Sequence, residues 1–182
     1  MKYVEPIRSK EQINEMKAYL KSRNIRDCLL FVLGINSGLR ISDLLALKIS
    51  DIKNTDRIIL QEKKTGKTKD FPLSETCKKT INEYLLTTQR ESGWLFKSKK
   101  GEKPITRVQA YRIINQAARA IGIKNAIGTH TLRKTFGYWA YKGGADVTRI
   151  QKLLNHSAPS VTLAYIGITK DELDTIYINL NL

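Results

Sequence analysis

Sulfur and nitrogen metal ligands are scarce in this chain, which holds two cysteines and two histidines among its 182 residues. Cys28 and Cys77 both sit among apolar residues of predicted helices, outside any Cys-x-x-Cys pair or Cys/His cluster, and so read as reduced packing residues. His130 and His156 leave little material for a structural zinc site. Long apolar runs are missing as well. The longest, residues 28–35 (CLLFVLGI), falls far short of the ~20 residues a helix needs to cross a bilayer. It reads as a buried helix, and a membrane is not an expected partner. Met1-Lys2-Tyr3-Val4-Glu5-Pro6 contains no apolar segment of the signal-peptide kind, so a cytoplasmic protein is expected. Acidic residues are the other shortage: 17 Asp and Glu stand against 32 Lys and Arg, for a formal charge of +15 and a pI near 9.9. A polyanion, with nucleic acid the leading candidate, suits that balance better than an acidic peptide does.

The chain length supports one hydrophobic core, and a single domain over 1–182 is expected, without internal repeats, low-complexity segments or linkers. Ser9-Lys10-Glu11-Gln12 has the form of a capping box, and Ile13, Met16 and Leu20 follow on one helical face to about Ser22. Residues 26–36 are too apolar for a surface helix, and Ser37-Gly38 stops them just before Arg40. A short helix is predicted over 41–47. A β-hairpin follows, with strands at 57–61 and 68–73 and its turn at Lys64-Thr65-Gly66-Lys67.

Helical periodicity returns over 74–89, residues 93–103 read as loop with a short strand at most, and Thr106 to Gln109 forms a second capping box opening a helix to about 121. Another helix spans 131–142 and stops at Gly143-Gly144. Asp146 caps a short one, Asn155-His156-Ser157 breaks the pattern, and Pro159 opens the helix carrying Tyr165, which Gly167 ends. Thr169 to Glu172 starts a last helix with Leu173, Ile176 and Tyr177 apolar. These elements predict a mainly helical α+β domain with a small antiparallel sheet at one edge.

Each polar landmark has an ordinary explanation when taken alone. Arg40 could be a helix-end cation, Lys64 a solvated turn charge, His130 and Arg133 a surface pair three residues apart, His156 a cap, and Tyr165 a core aromatic. Together they match what metal-free phosphodiester transfer requires. Two guanidinium forks hold the nonbridging oxygens where charge accumulates, which suits Arg40 and Arg133. A phenol with an ordinary pKa of about 10 needs a base or a cationic field to become a nucleophile, and His130 is the first candidate to activate Tyr165. The departing deoxyribose oxygen needs a proton, which Lys64 at the hairpin tip is placed to supply. Gly66-Lys67-Thr68 resembles the end of a P-loop, but Gln61 occupies the first glycine position and Pro72 follows where a helix should begin, so no nucleotide site is indicated.

Four stretches carry a resemblance to the catalytic domain of tyrosine recombinases, the phage integrase family, over nearly the full chain. They are Ser37-Gly38-Leu39-Arg40-Ile41-Ser42-Asp43, the hairpin Lys63-Lys64-Thr65-Gly66-Lys67-Thr68-Lys69-Asp70-Phe71-Pro72-Leu73, His130-Thr131-Leu132-Arg133, and Leu154-Asn155-His156-Ser157 with Thr162 and Tyr165. The resemblance implies catalytic arginines Arg40 and Arg133, a general acid Lys64 with Lys63 and Lys67 as neighbouring alternatives, phosphate-contacting His130 and His156, and the nucleophile Tyr165. It also implies double-stranded DNA as substrate, a tetramer on two paired sites, no cofactor or metal, and a prokaryotic or phage setting.

Asn155 stands where the family usually has glycine, which asparagine's tolerance of a left-handed backbone should make harmless. Asp43 replaces the more frequent glutamate and should orient neighbouring basic groups. The separate helical domain that usually precedes this one and completes the DNA clamp is expected to be absent. Arg107, Arg112 and Arg119 on the 106–121 helix are candidates for base contact, against phosphate contact or plain solvation. A non-catalytic DNA-binding regulator on the same scaffold, a type IB topoisomerase and a protein–protein module with incidental charge are the rival readings.

Overall fold

The computed structural model describes residues 4–180. Its elements in order are α1 (Lys10–Arg23), α2 (Ile25–Ser37), α3 (Ile41–Leu44), β1 (Arg57–Gln61), β2 (Thr68–Pro72), α4 (Glu75–Thr88), α5 (Arg107–Ala120), α6 (Thr129–Lys142), α7 (Val147–Leu153), α8 (Pro159–Ile166) and α9 (Lys170–Leu180). The helix-rich architecture with one two-stranded antiparallel sheet is the predicted fold class. Among the described residues, no helix is long and apolar enough to cross a membrane.

Helix α2 is buried over the whole stretch from Cys28 to Gly34 and packs on α1, α4 and α6. A helix apolar on every side is stable only when neighbours cover it all round, and each fully buried Leu or Phe then contributes about 1.5–3 kcal/mol. A smaller cluster of Tyr138, Ile150, Leu154 and Ile166 joins α6, α7 and α8. There α8 comes unusually close to α6: a Cβ built on Gly137 would meet Ile166 Cγ2 at 2.6 Å. The helix carrying Tyr165 therefore lies against bare backbone.

Capping explains most helix starts. Thr106 and Gln109 satisfy each other's amides, with Gln109 N–H donating to Thr106 Oγ1 at 3.1 Å and Thr106 N–H to Gln109 Oε1 at 2.8 Å. Thr169 and Glu172 do the same. At α1 only half of the predicted box forms. Ser9 Oγ accepts from Gln12 N–H but donates to Glu11 in place of a return bond from Gln12. The side chains of Leu173, Ile176 and Tyr177 lie outside the described residues.

Helix α3 is shorter than the predicted 41–47. The Leu47 carbonyl accepts from Leu95 N–H at 2.8 Å and Ile49 N–H donates to the Gly93 carbonyl at 2.9 Å, so this backbone is drawn out of the helix by the 93–95 segment. A turn of 3₁₀ helix, Ile49–Asp51, follows. The hairpin register pairs Ile58 with Phe71 and Leu60 with Lys69.

Candidate active site

The end of α2 sets the first arginine. Gly38 takes a left-handed backbone, φ 60°, and a Cβ there would lie 2.5 Å from the Phe136 ring, so the turn needs glycine twice over. Arg40 then emerges in extended conformation at the N-cap of α3. Arg133 rises from α6 and is buried, 4% exposed. Its two terminal nitrogens donate to the Gly38 and Leu154 carbonyls, joining the Arg40 turn to the turn that carries His156. A guanidinium has five N–H groups, so Arg133 keeps donors for an anion. Burial, ahead of repulsion from Arg40, pushes its pKa down, while the nearby Tyr165 phenol, Glu62 and Asp43 act in the opposite direction.

The hairpin supplies the carboxylate and lysine that face these arginines. Period-two alternation points Ile58, Leu60 and Glu62 inward from one strand and Lys69 and Phe71 inward from the other. Glu62 is 1% exposed. Its Oε1 lies 2.9 Å from Arg40 Nη1, an ion-pair contact off the hydrogen-bond direction. Its Oε2 accepts from Thr65 Oγ1 at 2.8 Å and from Asn155 Nδ2 at 2.7 Å. Burial works against the Glu62 charge, but the bonds from Thr65 and Asn155 and the facing charge of Arg40 outweigh it and hold the carboxyl below its ordinary pKa.

Lys69 Nζ donates to the Ser37 carbonyl at 3.2 Å and the Leu153 carbonyl at 3.4 Å, and lies 5.8 Å from the centre of the Phe71 ring. Burial first, then repulsion from Arg133 and Arg40, lowers its pKa to about 8. Lys64, by contrast, is exposed in the hairpin turn, as are Lys63 and Lys67. Asp43 is buried 3% exposed and its Oδ1 accepts from the Lys63 backbone N–H at 3.0 Å. It anchors the hairpin backbone, and its charge bears on the neighbouring basic groups Arg133 and Lys69.

Helix α8 brings the tyrosine to this place. The Tyr165 ring meets His156 edge-on, with centroids 4.8 Å apart and planes at 70°. His156 Nδ1 lies 3.1 Å from Thr162 Oγ1, whose own hydroxyl is directed at the Ala158 carbonyl. His156 Nδ1 and Thr162 Oγ1 are thus hydrogen-bonded partners, and which of the two donates follows the imidazole tautomer. Burial, followed by the charges of Arg133 and Arg40, holds the His156 pKa below its usual value. His130, at the start of α6, is more exposed but shifts the same way, through burial and then Arg107, Arg133, Lys134 and Arg40. Asn155 adopts the left-handed backbone, φ 48°, expected of it in place of glycine.

An open cleft of about 900 Å³ runs beside the tyrosine, with Tyr111, Arg119, His130, Lys134 and Tyr165 on its walls. Arg107, Arg112 and Arg119 are all exposed on α5. Arg107 is close enough to depress His130, and Arg119 lines the cleft, while Arg112 is not part of its wall. Among the described residues, no group of three or more His, Cys, Asp or Glu side chains is gathered as a metal site requires.

Glu62, Lys69 and Lys134 are the additions to the sequence-predicted set. Lys134 is buried, with its ammonium 5.2 Å from the centre of the Tyr165 ring. The alternation through 58–62 and 68–72 is the signal that reveals the first two.

The family model described as "Phage integrase family" matches residues 8–172. The chain is 49% identical over 177 residues to the "Probable integrase/recombinase YoeC" of Bacillus subtilis, covering 97% of each. It spans about half the length of the tyrosine recombinases XerD of Corynebacterium glutamicum and XerC of Pelobacter propionicus, at 29% and 35% identity. Among solved structures, the XerA recombinase superposes with a TM-score of 0.81 at 23% identity, over 98% of this chain and 66% of that one. The XerH site-specific recombinase, in a post-cleavage complex with its palindromic difH substrate, gives 0.77 at 19% identity, over 97% and 53%. The fold is that of tyrosine recombinase catalytic domains.

Proposed function

Since the chain belongs to the phage integrase family, we propose that it is the catalytic unit of a site-specific DNA recombinase that breaks and rejoins strands through a 3′-phosphotyrosyl bond at Tyr165. One observation carries the reading: the Tyr165 ring sits against His156, next to a buried arginine fork that already bridges the two turns holding Arg40 and His156. The net charge of +15 and the recombinase solved on its DNA substrate support duplex DNA as the partner. By the same kinship the working assembly is a tetramer on two paired sites, acting in the cytoplasm.

In this mechanism Arg40 and Arg133 take the nonbridging oxygens of the scissile phosphate, compensating the charge that grows there in the transition state. The Tyr165 phenol oxygen attacks phosphorus and its proton passes to a neutral imidazole, for which His130 and His156 are the candidates. The bond from phosphorus to the 5′ oxygen breaks, and that oxygen takes its proton from Lys64, carried by the hairpin turn. Rejoining reverses the sequence when a 5′-hydroxyl of another strand attacks the phosphotyrosine. Phosphoester energy is retained in the covalent intermediate, so no step draws on ATP.

The test is a nicked suicide duplex bearing the DNA that flanks the gene, incubated with the protein and resolved on a denaturing gel. A protein–DNA adduct in the wild type and none in Tyr165→Phe is the expected result. An adduct that persists in Tyr165→Phe refutes the nucleophile, and site-specific binding without any adduct refutes the enzyme.

A further inference from the structure

The two inward polar residues of the hairpin make parallel connections. Lys69 holds the Ser37 carbonyl at one end and the Leu153 carbonyl at the other. Glu62 contacts the Arg40 side chain at one end and Asn155 at the other. Ser37 is the last residue of α2 and Arg40 closes the turn that follows it; Leu153 is the last residue of α7 and Asn155 lies in the turn that leads to α8. Each residue therefore spans the same gap, from the segment that presents Arg40 to the segment that presents His156.

We propose that Glu62 and Lys69 are a pair of positioning residues that clasp the Arg40 turn to the His156 turn, so that the seating of the hairpin sets the phosphate-binding geometry. The inference rests on the recombinase reading above and adds to it two residues that act through others. Several features support a clasp over incidental packing. Glu62 is almost wholly buried and Lys69 partly so, a placement that is costly for an ion unless it is paired and hydrogen-bonded. Their partners lie far away in sequence, separated from Glu62 by 93 residues at Asn155 and from Lys69 by 84 at Leu153. The same carboxylate also accepts from Thr65, in the turn that carries Lys64. Displacing the exposed hairpin tip therefore moves a residue bonded to both halves of the site.

The experiment uses the full chain and the suicide duplex, with single-turnover adduct formation and DNA affinity measured separately. Glu62→Gln keeps the shape and loses the charge; Lys69→Met loses both donor bonds; Lys69→Arg restores them. The first two are expected to slow adduct formation about 10- to 100-fold, as displacements of about 1 Å in a reacting site do, with DNA affinity nearly unchanged and Lys69→Arg recovering most of the rate. A substrate with sulfur in place of the bridging 5′ oxygen has a leaving group that needs no proton. It should rescue Lys64→Ala and leave Lys69→Met slow.

Wild-type rates in both variants, or losses wholly in DNA affinity, overturn the clasp, and rescue of Lys69→Met by sulfur makes Lys69 the proton donor instead. A readout independent of catalysis separates the two readings. The His156 ring resonances and hydrogen exchange at Asn155 and His156 should change in Glu62→Gln and Lys69→Met even if the wild type forms no adduct. Unchanged spectra overturn the clasp on their own.

Discussion

Lys69 makes a prediction about stability that can be tested without knowing the DNA site. Its folded-state pKa of about 8 lies below the ordinary 10.5, because burial and the facing charges of Arg133 and Arg40 disfavour the ammonium more than Glu62 and Asp43 favour it. Between about pH 8 and 10.5 the unfolded chain holds a proton that the folded one has released. Stability therefore rises with pH across that window, and below it the full penalty persists. At ~1.4 kcal/mol per pKa unit the gap corresponds to about 3 kcal/mol.

The comparison must be against Lys69→Met, which removes this proton and leaves every other ionisable group in place. Urea unfolding of both proteins at about pH 7 and about pH 9.5 isolates it. The wild type should gain about 2 kcal/mol on the variant between the two conditions. Stability curves that run parallel would refute the burial argument, and a relative loss by the wild type would reverse its sign.

Arg133→Lys cannot serve the Gly38 and Leu154 carbonyls from one planar fork, and adduct formation should drop about 10²–10³-fold in single-turnover kinetics. Gly137→Ala drives a methyl into Ile166 on the tyrosine helix and should cost about 1–3 kcal/mol, read as a lowered Tm by calorimetry. His130 and His156 should both titrate below 6.5 by NMR. As pH falls from 6.5 the unfolded chain takes up those protons first, so acidification destabilises the fold; titration at or above 6.5 would contradict the desolvation described for both rings.

Local signals in the sequence give good account of the fold wherever a helix end is settled by its own residues. The Thr106 and Thr169 boxes close as their sequences predict. They fail where a distant segment competes. Nothing within residues 41–47 announces that the 93–95 backbone will claim Leu47 and Ile49.

The candidate site divides the same way. Arg40, Arg133, His156 and Tyr165 are legible as a joint set suited to phosphodiester transfer and through the motifs that carry the resemblance, and the structure gathers them. Glu62 and Lys69 escape because lysines crowd the turn while the informative period is that of the strands. Lys134 hides behind Arg133: every residue from Thr131 to Thr135 is buried, so α6 offers no solvent face there against which an inward cation would stand out.

One contact ties the chain's first described residues to its chemistry. Arg8 pairs with Glu5 and donates to the Gly167 carbonyl, two residues beyond the tyrosine, at the C-terminal stop of α8. Any pull on residues 5–8, from whatever lies upstream or from a bound duplex bending past them, must either drag that stop along or snap the bond. The tyrosine helix is thereby leashed to residues 5–8, and because Ile7 is itself pinned to α6 through Thr135 and Trp139, the leash has a fixed post at its other end.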